Sequence, residues 1–97
     1  MAMVPTAQDM ATVKDARLLV IYVSLYEKLG TKEQAALYRE QDLWLKNRRK
    51  QLIKLQNPDG GHEVGLDIAA KKMELTDARI KELSVRLAKL GPRPSSL

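Results

Sequence analysis

Cysteine is absent from the 97 residues, so the chain can form no disulfide, no thiolate metal site and no cysteine nucleophile. Phenylalanine is absent too. One tryptophan and three tyrosines are its only aromatics, so burial must rest on Leu, Ile, Val, Met and Ala. The five glycines and four prolines gather around Pro5, at Gly30, between residues 57 and 65, and after residue 90, leaving long helix-forming runs between them. The longest apolar run, residues 18–23, is far shorter than the about 20 residues of a membrane span. The first eleven residues lack the basic start and apolar segment of a secretory signal, so none is expected there. There is one histidine, no glycine-rich phosphate loop and no HExxH pair. No nucleophile and base can be named, and an enzyme is not expected.

What is present points to an all-α domain. A chain of this length builds one core and no deep substrate cavity. Seventeen Lys and Arg against twelve Asp and Glu give a net charge of +5, which favours anionic partners without naming one. No cofactor is expected.

The spacing predicts a bundle of three antiparallel helices over about 6–29, 31–56 and 67–90, with flexible tails at 1–5 and 91–97. A break in the first helix near Asp15 would make it four. Thr6 and Asp9 have capping-box spacing, as do Thr31 and Gln34. Gly30 suits the residue just past a helix end. In the first helix Leu18, Tyr22, Leu25 and Leu29 form one stripe, widened by Val13, Val20, Ile21 and Val23, so its middle should be the most buried part of the protein. The very short connection after Leu29 makes the first two helices neighbours. Asn57 and Pro58 end the second helix, and Asp67 can cap the third.

The second helix organises the chain. Leu37, Gln41, Trp44, Arg48, Leu52 and Leu55 recur at steps of three and four and share one face. Trp44 reads as core. Arg48 with Gln41 should meet a carboxylate from a neighbouring helix, with Asp15, Asp77 and Glu82 as candidates. Losing one partner of a buried pair costs about 3–5 kcal/mol. The third helix carries Met73, Thr76, Ile80, Leu83, Leu87 and Leu90 on one face, which could serve packing or self-association, although a monomer is the expectation.

Two surface features carry function candidates. Residues 46–54 hold five cations in nine positions, and Lys46, Arg49, Lys50 and Lys54 could form an anion-binding face for nucleic acid. No aromatic lies among them to stack bases, so nucleic acid is the lesser reading. The segment of residues 57–67 carries Asp59, His62, Glu63 and Asp67 and no Lys or Arg, an acidic patch in a basic protein. Those donors could suggest a metal, but flanking glycines make a mobile polar loop the better reading, and no metal is expected.

Leu37, Gln41, Trp44 and Arg48 have the spacing L-x3-Q-x2-W-x3-R, which resembles the central motif of the lysozyme-inhibitor LprI-like family of small secreted bacterial proteins. Leu18, Tyr22, Leu25 and Leu29 resemble its first-helix pattern L-x3-Y-x2-L-x3-L, and Thr76, Arg79, Glu82 and Leu83 its last-helix pattern T-x2-R-x2-E-L. The three motifs, in order, cover residues of about 15 to 87. The resemblance implies an all-helical domain of the periplasm or cell envelope that binds and inhibits lysozyme. The family usually carries cysteine pairs, one near the position of Leu52 and another in the last helix. This chain has none and should rest on packing alone. A cytoplasmic location is the alternative that goes with the nucleic-acid reading. The shared residues read as scaffold, leaving the acidic segment as the candidate contact for lysozyme.

Overall fold

The computed structural model describes residues 6–56 and 63–90, and side chains 7, 8 and 63–66 lie outside its description. It contains helices α1 (Ala7–Glu27), α2 (Thr31–Lys54) and α3 (Glu63–Lys89), with no strand among the described residues. The protein is an all-α bundle, and α1 runs unbroken through Asp15.

Thr6 caps α1 as its spacing predicts. Its hydroxyl accepts from the Asp9 amide at 3.1 Å, and the Asp9 carboxylate accepts from the Thr6 amide at 3.1 Å. The second expected box does not form. The chain re-enters a helix one residue early, so Gly30 is the N-cap of α2 with extended backbone and Thr31 is already helical. Gln34 instead donates its side-chain amide to the Tyr26 carbonyl at 2.9 Å, adding a second bond to a last-turn carbonyl of α1 that already accepts from the Leu29 amide. Gly30 has φ −75°, so it is not the left-handed residue expected after α1. The third helix starts four residues before Asp67, which is therefore an exposed helical residue and not a cap.

Direction follows from the side-chain bonds. Gln34 meets Tyr26 near one end of the α1–α2 pair, and Arg48 meets Asp15 toward the other. Arg48 also meets Thr76, while Arg86 meets Glu40. Each helix is thus antiparallel to the next, and α1 lies parallel to α3. The closest packing is between α1 and α3. Each carries a buried alanine, Ala11 and Ala69, where a larger side chain would hold the backbones apart. The helix α2 stands off from both and reaches them through long side chains.

Leu18, Leu25, Leu37 and Leu83 form the buried cluster, with Ile21, Tyr22, Tyr26, Leu29, Trp44, Ile80 and Leu87 packed around it. All three predicted stripes face inward, but they fade at the ends. Leu55 and Leu90 are exposed. Part of the apolar surface expected to be buried on α1 also departs from expectation, since Val13, Val20 and Val23 face solvent at 62%, 64% and 41%. A bundle of three helices covers one side of α1, and these valines lie on the other. The inward face of α3, with Thr76 and Leu83 at 0% exposure, is taken by the core and is not a surface for self-association.

Candidate functional site

The polar side chains at the heart of the bundle form two connected clusters on either side of Trp44. In the first, Arg48 of α2 donates through Nη1 to Asp15 Oδ1 of α1 at 2.6 Å and to Thr76 Oγ1 of α3 at 2.9 Å. Thr76 passes its own proton to the Lys72 carbonyl at 2.6 Å, and the Lys72 ammonium lies 3.2 Å from Asp15 Oδ2. One guanidinium thereby ties all three helices.

Arg79 of α3, only 3% exposed, centres the second cluster. Its Nε donates to Gln41 Oε1 at 3.0 Å, its Nη2 to Glu40 Oε2 at 2.8 Å, and its Nη1 to Glu82 Oε1 at 3.0 Å. Glu40 also accepts from Arg86. Trp44 lies between the two arginines, with its ring centroid 4.8 Å from Arg48 Cζ and 5.9 Å from Arg79 Cζ, within cation–π range of both. The fork of a guanidinium suits it to spread several bonds over different helices, which a lysine in the same place would not do. No buried side-chain polar atom among the described residues lacks a partner.

The electrostatics follow from this pairing. Burial alone raises the pKa of Asp15, but the hydrogen bonds and charges of Arg48 and Lys72 outweigh it and hold the carboxyl below its ordinary value. Glu40 behaves the same way, with burial opposed and overcome by Arg79 and Arg86. Both carboxylates therefore stay ionised in the folded domain near neutral pH. Tyr22 is shifted the other way, its phenol pKa raised by burial and by Tyr26 and Tyr38.

The expected carboxylate for Arg48 is thus Asp15. Asp77 pairs with Lys14 at 2.8 Å, and Glu82 pairs with Arg79. The expected union of Arg48 with Gln41 is corrected, because Gln41 serves Arg79. Stability does not rest on apolar packing alone, since these charged pairs join the helices. Sequence reasoning missed Glu40, Lys72 and Arg86. Glu40 sits beside the α2 stripe, next to Gln41, and Arg79 and Arg86 stand one position before Ile80 and Leu87 of the α3 stripe, so the signal was a row of charges on the stripe edges.

Eleven of the twelve shared motif positions point into this interior or border it, Leu25 buried and Leu29 partly so among them, and the twelfth, Glu82, is exposed and paired with Arg79. Leu18, Leu37, Gln41, Thr76, Arg79 and Leu83 are buried, and Tyr22, Trp44 and Arg48 are partly so. The cationic positions of α2 are separate and exposed, and Lys46 is held by Asp42 at 2.9 Å. Asp59 and His62 lie outside the described residues, as does the side chain of Glu63.

The model of a protein family described as lysozyme inhibitor LprI matches residues 1–83. The chain belongs to the lysozyme inhibitor LprI family. No curated protein and no solved structure matches it. As a member of this family the chain has its motif arginines and tryptophan in the helix interfaces, where they hold the LprI domain together. Arg86, which shares Glu40 with Arg79, lies beyond the matched residues. No helix is long and apolar enough to cross a membrane, and no group of three or more His, Cys, Asp or Glu able to hold a metal occurs among the described residues.

Proposed function

We propose that this LprI-family domain is a non-enzymatic periplasmic or secreted bacterial protein that binds lysozyme and inhibits it. The observation that carries this reading is the family match over residues 1–83. The motif side chains are engaged in the interior or, like Glu82, with a residue of it, which supports a contact with lysozyme made by residues outside the motifs.

Charge selects among those residues. A basic lysozyme and a domain of net charge +5 repel at long range, and association is slow unless a local acidic patch is offered. Residues 55–70 include Asp59, His62, Glu63 and Asp67 and contain no Lys or Arg, and Asp67 is exposed at the start of α3. This segment is the proposed contact.

A lysozyme activity assay with the purified domain in micromolar excess, against basic and acidic lysozymes at two salt concentrations, tests the reading. Dose-dependent inhibition is expected, and Asp59→Lys with Glu63→Lys should abolish it. Inhibition undiminished in the double variant would reject the acidic segment, and no inhibition of any lysozyme would reject the function. The exposed Arg49, Lys50 and Lys54 support a second reading as a phosphate-binding face. A steep loss of DNA or RNA affinity with rising salt would favour it.

A further inference from the structure

The α1 helix is apolar on two opposite sides. Leu18 and Leu25 face the core, while Leu19, Val20 and Val23 face outward at 61%, 64% and 41% exposure. Ala16 stands beside them and is also exposed. Residues 16, 19, 20 and 23 have the spacing of a helix-packing seam, with a small residue at one end. Beside the ridge, α1 and α2 enclose an open groove of about 320 Å³ whose wall includes Leu18, Leu19, Tyr22, Tyr38 and Leu45. Leu19 belongs to both, so ridge and groove are one continuous apolar surface.

We propose that this surface is a homodimer interface, in which the outer ridge of α1 from each copy lies along the α1–α2 groove of the other. The four helices α1, α2 and their counterparts then form an antiparallel four-helix bundle about a two-fold axis.

Three observations select a second copy as the occupant. The first is shape: ridge and groove lie side by side on one face, so a two-fold rotation brings each against the other, as an isologous contact requires. The second is area. Leu19, Val20, Val23, Tyr38 and Leu45 together expose on the order of 500 Å² of apolar surface, near the upper limit for the largest patch of a typical monomer. With the polar rim added, that approaches the roughly 800 Å² per partner of a stable interface. The third is charge. The charged groove residues Asp15, Asp42 and Arg48 sum to −1, and to +1 with the Lys46 and Lys72 that pair with the two carboxylates, so this face carries a small share of the domain's net charge of +5. Two copies can meet there without the repulsion that their net charge would otherwise impose.

Sedimentation equilibrium of the purified full chain from about 1 to 500 µM tests the proposal, spanning the range of weak to moderate homodimers. A concentration-dependent dimer is expected. Leu19→Lys with Val20→Lys should weaken it by at least about tenfold, because two apolar groups would then be exchanged for charges within the contact. Both positions are more than half exposed, so the variant should keep its helical circular dichroism and melting temperature. Leu43→Lys, at an equally exposed leucine on the far side of α2, should leave dimerisation unchanged. The absence of cysteine allows a direct second readout: Leu19→Cys, at the boundary of ridge and groove through which the proposed axis passes, should oxidise to a covalent dimer, and Leu43→Cys should not. A monomer throughout the concentration range would overturn the proposal. So would a dimer indifferent to the double lysine variant, or equal cross-linking at both cysteines.

Discussion

Arg48 and Asp15, 33 residues apart, meet at 2.6 Å in the bond that fastens α2 to α1, and the same arginine reaches Thr76 on α3. Arg79 does the corresponding work further along, and the indole of Trp44 lies between the two guanidinium groups. The stability of this cysteine-free domain should therefore be sensitive to a few charged residues, and unequally so.

Arg79→Ala should cost about 3 kcal/mol, since it strands the buried Gln41 side chain and removes the buried donor that joins α2 to α3 there, while Glu40 keeps Arg86 and Glu82 turns to water. Arg86→Ala should cost less than about 1 kcal/mol, because its side chain is 38% exposed and Glu40 keeps its bond to Arg79. Urea unfolding of both variants measures the difference. Equal losses would show that burial does not rank these two arginines.

Arg48 and Asp15 should behave as a coupled pair. In a double-mutant cycle of Arg48→Met and Asp15→Asn, the two changes together should cost less than the sum of each alone by about 1–2 kcal/mol. Additive losses would mean that the 2.6 Å contact contributes no coupling in solution.

Trp44 is a built-in reporter because it is the single tryptophan. Its native emission should lie to the blue of the unfolded chain, and Trp44→Ala should cost about 3 kcal/mol through lost packing and lost cation–π contacts. Emission at the unfolded wavelength in the native protein would place the indole in water.

Acid should unfold the domain. The folded-state pKa values of Asp15 and Glu40 are depressed, so their ion pairs contribute fully above the unfolded carboxylate values of about 4 and are lost as pH falls through the lower folded values. Melting temperature should be level from pH 6 to 8 and fall steeply below about pH 4. Asp15→Asn should reduce the slope of that acid limb.

Gly30 offers a gain. It caps α2 without a side chain, and a serine there would create a capping box with Glu33. An added Cβ would meet only the flexible end of Glu33, at 2.9 Å, which can turn aside. Gly30→Ser should raise stability by about 0.5–1 kcal/mol, read from the thermal midpoint.

The sequence by itself determined the helical class, the Thr6 cap and the inward stripes, because capping and helical periodicity are set within a few residues. Leu18, Leu37 and Leu83 are buried for that local reason. It also marked Arg48 as needing a carboxylate, since a guanidinium in line with Trp44 could not be left without one. Only the tertiary structure decided that the partner is Asp15, that Gln41 serves Arg79, and that Glu40 is shared by two arginines. These pairs join residues 33 to 46 positions apart, and the rotation and stagger of whole helices select them. The same limit hid the outer face of α1. Leucine and valine occupy both its sides, and composition cannot tell which side two neighbouring helices will cover.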